Sequence, residues 1–460
     1  MNSEDAKLNI LLISIHGLIR GQDLELGRDA DTGGQTKYVV ELLSALAERP
    51  EVGQVDLMTR RIVDTNVSED YAEPVEQLSD TARIIRIDCG EEGYLPKEAL
   101  WDSLDNFADN ALVFLNSQAR LPDIIHSHYA DAGYVGTRLS HQLNIPLLYT
   151  GHSLGRTKRK RLLASGVKRD VIEQRYNISR RIDAEEEALG VAERIITSTN
   201  QEIIEQYGMY DYYTPEKMRV VPPGTDLEKF HPVDGSERDS TIYQDICRFL
   251  REPDKPVVLA LSRPDQRKNI NTLVEAYGES EELKQMANLV IIAGNRDDIR
   301  DMDSGAQEVL AEVFITIDTY DLYGKVAYPK HHHADDVPII YRLAAASGGV
   351  FVNPALTEPF GLTLIEAAAT GLPIVATEDG GPTDIINNCH NGYLIDPLDK
   401  KAMADNLIKV LADKDNWKSL AHNGIKGVRE HYSWSAHAEK YLKIVKPVVD
   451  KSEPLTRMDL

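Results

Sequence analysis

Four stretches of the chain combine residue types whose spacing could do chemistry. SRPDQRKN (262–269) places Arg263 and Lys268 five positions apart, directly after a strongly apolar run. A planar guanidinium fork and a point-charge ammonium together make a clamp for a diphosphate. NPALTEPFGLTLIEAAATG (353–371) places Glu358 just before a helical pattern and Glu366 two turns into it. Phe360, Gly361, Leu362 and Thr363 open that helix, so their N–H groups lack intrahelical acceptors and have the positive end of the helix behind them. A carboxylate at Glu358 suits sugar hydroxyls, and one at Glu366 suits the two hydroxyls of a ribose. Either glutamate alone reads as helix-end electrostatics or a surface charge; the pair around a glycine at a helix start is far more specific. DTGGQTKYVVELLSALA (31–47) offers Asp31 or Thr32 as a helix cap, Gly33 and Gly34 for close approach of backbone to a ligand, and Gln35 beside them. GHSLGRTKRKRLL (151–163) sets five cations between Arg156 and Arg161, just behind His152 and Ser153.

That last run is out of character with a chain of 51 Lys+Arg against 74 Asp+Glu and a formal charge of −23. So acidic a chain is a poor partner for nucleic acid or an anionic membrane. It can still bind a small anion, because charges more than about 8 Å apart are largely screened at physiological salt. Cys89, Cys247 and Cys389 stand too far apart in sequence for a metal motif or a disulfide framework. The start, MNSEDAKLN, is polar and acidic, and no run reads as a signal peptide, membrane span or lipidation site. A cytoplasmic location is expected. Three adjacent histidines, His331 to His333, cannot all turn towards one ion, and His126 and His128 share a strand face but show no third ligand. No protein-bound metal is expected. Gly380-Gly381 reads as a tight turn before a helix.

The elements that must position these groups alternate. NILLISI (9–15), VDLMTR (55–60), RIIRID (83–88), DIIHSH (123–128), PLLYTGH (146–152), RIITST (194–199) and MRVVPPG (218–224) read as buried strands. Amphipathic segments at 35–48, 98–119 and 171–193 lie between several of them. A polar stretch rich in charge, 226–240, interrupts the pattern. It then restarts with PVVLALSR (256–263), NLVIIAGN (288–295), KVAYPK (325–330), GGVFVNP (348–354), LPIVATE (372–378) and NGYLIDP (391–397). Strands separated by helices imply βαβ units and parallel sheets. The expectation is an α/β chain of two Rossmann-like domains facing a cleft: 1–225, a connector at 226–253, 254–430, and a helical segment at 431–460 packing back on the first domain. Ligands of such sheets sit beyond the carboxyl ends of the strands.

Taken together, HGLIRGQDLELGRDADTGGQTKYVVEL, YLPKEALW (94–101), HSHYADAG (126–133), TGHSLGRTKRKRLL, RRIDAEEEAL (180–189), VVPPGTD, SRPDQRKN, AYPKHH and TEPFGLTLIEAAATGLPIVAT resemble the glycosyltransferase core of the sucrose-phosphate synthase family. The resemblance spans nearly the whole chain and implies the GT-B fold. It also implies retaining transfer of glucose from UDP-glucose to fructose 6-phosphate, with UDP released. On the matching positions it implies that Arg263 and Lys268 hold the diphosphate and Glu366 the ribose. Glu358, with the N–H groups of Phe360, Gly361, Leu362 and Thr363, would hold the glucosyl ring. His152 would stand at the donor sugar and share catalysis with Glu358, Arg263 and Lys268. Gly34 would lie on the donor side, and Gly33 and Gln35 on the acceptor side. For the acceptor, the resemblance makes Lys158 the phosphate ligand, with Ser153, Tyr129 and Lys97 beside it and Arg180 or Arg181 completing the cluster. Arg159, Lys160 and Arg161 remain a solvated helix face.

The mechanism it suggests is front-face attack, with the departing phosphate oxygen taking the acceptor's proton, because no carboxylate presents itself as a nucleophile. No cofactor is required, and Mg²⁺ would act only as a stimulant. No appended phosphatase-like domain is expected, so hydrolysis of the product would fall to a separate sucrose-phosphate phosphatase with which the chain associates. Sucrose synthase, which uses free fructose, is the nearest alternative, and neutral fructose would leave Lys97 and Lys158 without a purpose. Another retaining glycosyltransferase, using ADP-glucose or a different sugar phosphate, is a looser alternative. A non-catalytic sugar-nucleotide sensor on the same fold would bind donor and turn nothing over.

Overall fold

Strands buried on both faces carry nearly unbroken apolar side chains, and most of the runs picked out above fold in that way, while the edge strands at 218–220 and 392–395 are largely half-buried. The computed structural model describes residues 7–26 and 28–451. The chain divides into two units, 1–223 with 437–460, and 224–436. The extreme ends of the expected first domain and of the segment 431–460, and Gly27 of the glycosyltransferase-like motif, lie outside the described residues.

The first unit holds β1 (Leu8–Ile13), β2 (Val52–Arg60), β3 (Val75–Ser79), β4 (Ala82–Ile87), β5 (Ile124–His128), β6 (Leu147–Thr150), β7 (Arg194–Thr197) and β8 (Met218–Val220). They form one sheet in the order β3-β4-β2-β1-β5-β6-β7-β8. All neighbours are parallel except β3, which runs antiparallel to β4. The order reverses between β1 and β5, the switch point where a doubly wound sheet leaves its crevice. The second unit holds β9 (Val257–Leu261), β10 (Asn288–Ile292), β11 (Val326–Ala327), β12 (Val350–Asn353), β13 (Ile374–Thr377) and β14 (Gly392–Ile395), all parallel. Their order is β11-β10-β9-β12-β13-β14, with the reversal between β9 and β12.

Several elements depart from the sequence reading. The segment 171–193 is two helices, Arg169–Tyr176 and Ile178–Val191, broken at Asn177, which takes a left-handed φ of 47°. The segment 98–119 starts as a 3₁₀ stretch, Lys97–Ser103, before the α-helix Leu104–Ser117. Strand β11 keeps only two residues of 325–330. Arg296 and Asn295 take the carbonyls of Tyr328, Pro329 and His332, so this segment is pinned as a loop. Residues 226–253 carry the helix Thr241–Cys247, whose Ile242 and Ile246 enter the core of the second unit. Where the chain enters and leaves that unit, Thr225 N–H donates to the Tyr432 carbonyl at 2.7 Å. Gly224 is required there, since a Cβ would lie 2.5 Å from the Trp434 nitrogen. From His437 on, the helix Trp434–Val449 belongs to the first unit, where Tyr441 stacks on His126.

Candidate functional site

At the carboxyl ends of β5 and β6, two non-glycine residues are held at positive φ: Tyr129 at 80° and His152 at 55°. Such backbone costs on the order of 1–3 kcal/mol and persists where surrounding contacts over-determine it. For Tyr129 those contacts are visible. Its N–H donates to Thr150 and its carbonyl accepts from Gly133, both at 2.8 Å. Its ring lies edge-on to His16, with centroids 4.6 Å apart, and under the Arg181 guanidinium at 4.5 Å. His16 in turn meets Asp131 at 2.7 Å.

Arg181, only 3% exposed, organises the turn after His152. It donates to the Ser153 carbonyl at 2.5 Å and to Ser153 Oγ at 3.3 Å, and pairs with Glu185 at 2.9 Å. Glu185 also accepts the Gly155 N–H. Arg180, one position earlier, points to Asp102 at 2.7 Å on the exposed side. The helix thus separates the two arginines, with Arg181 inward. Lys97 is tied to Asp31 through both its ammonium and its backbone N–H. Lys158 lies 3.6 Å from Glu98 and 3.8 Å above the Tyr176 ring. Burial lowers the Lys158 pKa; Glu98 works against that, while Arg181 and Lys97 add to it by repulsion. Lys97, Lys158 and Arg181, read from three separate segments, therefore gather within electrostatic reach. Arg156 faces away, to Glu186 and Asp211.

Gly33 precedes the helix Gly34–Ala47, and no side chain caps it. Asp31 is engaged by Lys97, and Thr32 Oγ accepts from Leu18 N–H, so neither serves as the expected cap. A Cβ on Gly33 or Gly34 would meet nothing within 4 Å. The protein's own packing does not demand glycine there. Gln35 turns its amide to Ser14 Oγ at 3.1 Å and to the His128 carbonyl at 3.3 Å, across the β1/β5 switch point.

His152 Nε2 lies 3.0 Å from His128 Nδ1. Burial, and then the charge of His16, push the His152 pKa down to about 3, so the ring is neutral at pH 7. Sequence reasoning missed the rest of this cluster. Tyr38 packs against His128, His152 and His437, and His128 against His126. The alternation His126-Ser127-His128, which places both imidazoles on one strand face, was the available signal.

In the second unit, Lys268, expected to hold a diphosphate, and Glu358, expected to hold a sugar, meet each other. Lys268 Nζ pairs with Glu358 at 2.7 Å, and Asn353 Nδ2 donates to the same oxygen at 3.0 Å. Arg263 follows β9 and is exposed. The helix Leu362–Ala369 begins two residues later than expected, because Gly361 takes a φ of 99° as its N-terminal cap. No side chain caps that helix either, leaving its first N–H groups directed outward from the switch point. Phe360 and Thr363 are half-buried and Leu362 exposed. Glu366 accepts from Tyr341 OH at 3.4 Å. The Gly380-Gly381 turn packs directly under this loop: Gly381 N–H donates to the Glu358 carbonyl at 2.9 Å. A Cβ on Gly380 would lie 2.0 Å from that carbonyl oxygen. The turn therefore acts as the platform for Glu358.

Among the described residues, no three His, Cys, Asp or Glu side chains are grouped to hold a metal ion, and no helix is long and apolar enough to cross a membrane. His331 lies by Asp297, and His333 N–H donates to Asp336 at 2.6 Å, so the triple histidine is a loop before the helix Asp336–Ala346.

Two switch-point sites on two Rossmann-like sheets define a GT-B glycosyltransferase. The family of the sucrose synthase first GT-B domain matches residues 5–244, more than half of the chain, and the chain belongs to it. The family of group 1 glycosyl transferases matches residues 245–427. The chain is 47% identical to a sucrose-phosphate synthase of Zea mays over 96% of its own length and 47% of the relative's. It is 46% identical to sucrose-phosphate synthase 4 of Arabidopsis thaliana over 100% of its length and 50% of the relative's. It thus spans about half of each. The solved sucrose-phosphate synthase of Thermosynechococcus elongatus superposes with a TM-score of 0.67 at 28% identity, covering 96% of this chain and 100% of that one. The catalytic domain of starch synthase IV from Arabidopsis thaliana, bound to ADP and acarbose, superposes at 0.64 with 15% identity, covering 97% and 100%, a likeness of fold alone.

Proposed function

We propose that this chain transfers glucose from UDP-glucose to fructose 6-phosphate, forming sucrose 6-phosphate and UDP with retention at the anomeric carbon. The observation that carries this reading is the convergence of Lys97, Lys158 and Arg181 beside Tyr129 and Ser153. A phosphate needs two or three charged donors, and free fructose needs none. The likeness to relatives named as sucrose-phosphate synthases supports a phosphorylated product.

The second unit supplies the donor groups. Arg263, Lys268 and the N–H groups of Gly361 to Thr363 face the negative charge that grows on the diphosphate as the bond to the anomeric carbon breaks. Preorganised charge of this kind is usually the largest catalytic term. Glu366 takes the ribose hydroxyls. Glu358, held by Lys268 and Asn353, takes hydroxyls of the glucosyl ring. The anomeric C–O bond to UDP breaks, a bond to the acceptor oxygen forms on the same face, and the acceptor's proton passes to the departing phosphate oxygen. Neutral His152 orients the reacting sugars by hydrogen bonding. Gly33, Gly34 and Gln35 lie where backbone meets substrate. Mg²⁺ would add positive charge at the diphosphate, and no protein side chain is assigned to hold it. UDP release measured with fructose 6-phosphate and with fructose tests the acceptor, and trapping of a covalent glucosyl-enzyme would overturn the front-face path.

A further inference from the structure

The pair His128–His152 joins a strand end inside the first unit to the histidine assigned to the reacting sugars. His128 is fully buried at the end of β5, and its Nδ1 lies 3.0 Å from His152 Nε2. Its other nitrogen, Nε2, is buried without a hydrogen-bond partner among the described residues. Among the described residues His152 Nδ1 has no hydrogen-bond partner, and His152, unlike His128, is only half-buried. Both rings are neutral, since burial depresses both pKa values. One proton must lie between them, and there are two ways to place it. If His152 donates from Nε2, His128 carries its own proton on Nε2, a buried N–H with no acceptor among the described residues. Stranding a buried donor costs about 1–3 kcal/mol, and orphaned N–H groups are rarer than under-satisfied acceptors. If His128 donates from Nδ1, only a lone pair is left buried, and His152 must carry its proton on Nδ1.

We propose that His128 is a positioning residue that fixes His152 in the Nδ1–H tautomer, so that His152 offers a hydrogen-bond donor to an oxygen of the bound sugars. The proposal rests on the glucosyl-transfer reading for its ligand, but the tautomer itself does not. The remaining contacts favour one ring orientation. The left-handed backbone at His152 and the edge-on Tyr38 ring at 5.0 Å hold the imidazole against His128. His128 is held in turn against His126, at 4.0 Å between centroids.

The test is nitrogen-15 NMR of histidine-labelled full-length chain, without substrates, together with steady-state kinetics. Wild type should show His152 protonated on Nδ1. His128→Asn keeps an amide donor near the Nδ1 position, so it should keep that tautomer and most of kcat. His128→Gln moves the donor to the Nε2 position and His128→Leu removes it. Both should release His152 from the single tautomer and lower kcat by roughly 10- to 100-fold, the scale of a misplaced catalytic group, with smaller change in KM. Unfolding curves for each variant separate this from a folding defect. His152 protonated on Nε2 in wild type would overturn the proposal, as would kcat in His128→Leu equal to that of His128→Asn. An inactive wild type with the Nδ1–H tautomer would instead overturn the glucosyl-transfer reading and leave the tautomer standing.

Discussion

Acidification from pH 7.5 to 5.5 should destabilise the first unit through its buried histidines. His126, His128 and His437 are fully buried, and burial lowers each pKa, to about 4 for His437 and well below the ordinary value for the other two. Their environment is apolar or already paired. His126 Nε2 meets Thr150 Oγ, and His437 Nδ1 meets the Pro222 carbonyl, so its Nε2 accepts from Tyr38 OH. The folded chain keeps these rings neutral at pH 5.5, while the unfolded chain protonates them near pH 6.5. The unfolded state then binds more protons, so stability present above pH 6.5 is lost as pH falls towards the folded pKa values. His152, with its pKa of about 3, adds to these three; each histidine costs about 1.4 kcal/mol over this interval, and the four cost about 5.5 kcal/mol. Burial raises Glu202 to about 7, and that works in the opposite sense. The folded chain takes up its proton first, which returns about 2 kcal/mol. The net loss is about 3.5 kcal/mol, a fair part of the 5–15 kcal/mol typical of a folded domain.

Urea unfolding followed by Trp101, which lies in the first core, reads this directly once Trp417 and Trp434 are replaced by Phe. His437→Gln gives the cleaner number. Its pH-independent cost and the Glu202 contribution cancel between the two pH values, leaving a pH sensitivity smaller by about 1.4 kcal/mol. Equal sensitivity in wild type and His437→Gln would refute the reasoning, as would an imidazole resonance of His437 titrating near 6.5 in the folded chain.

Three further outcomes follow from the sites. Lys158→Ala should raise KM for fructose 6-phosphate by about 10- to 100-fold, the worth of one hydrogen bond to a charged group, with KM for UDP-glucose unchanged; an unchanged acceptor KM would remove Lys158 from the phosphate pocket. Gly34→Ala meets no protein atom, so it should leave the melting temperature within a degree or so of wild type and still impair substrate binding in a UDP-glucose titration; full binding would mean the space before the helix is unused. Gly380→Ala must adopt a φ of 112° against the Glu358 carbonyl. It should lose more than about 1–3 kcal/mol in thermal unfolding, and an unchanged melting temperature would deny the platform under Glu358.

The parallel strands were legible because burial on both faces leaves continuous apolar runs such as NLVIIAGN. Strand β3 was not, since in the edge strand VEQLS the two apolar residues, Val75 and Leu78, stand three apart and fall on opposite faces, leaving no period-two pattern. The break at Asn177 carries no glycine or proline to announce it. Helical geometry alone could not say whether Arg180 or Arg181 turns inward; burial against Tyr129 and Glu185 decides it. The places of Arg263 and Glu358 after strands were readable from the apolar runs that precede them. The pairings were not, because Lys268 and Glu358, or His128 and His152, meet only through the sheet order.

The most direct test of the glucosyl-transfer account is UDP release from UDP-glucose, with fructose 6-phosphate and fructose compared side by side and the products identified. Turnover to sucrose 6-phosphate with the phosphorylated acceptor alone is the predicted result. Preference for free fructose, or no turnover with either sugar, would contradict it.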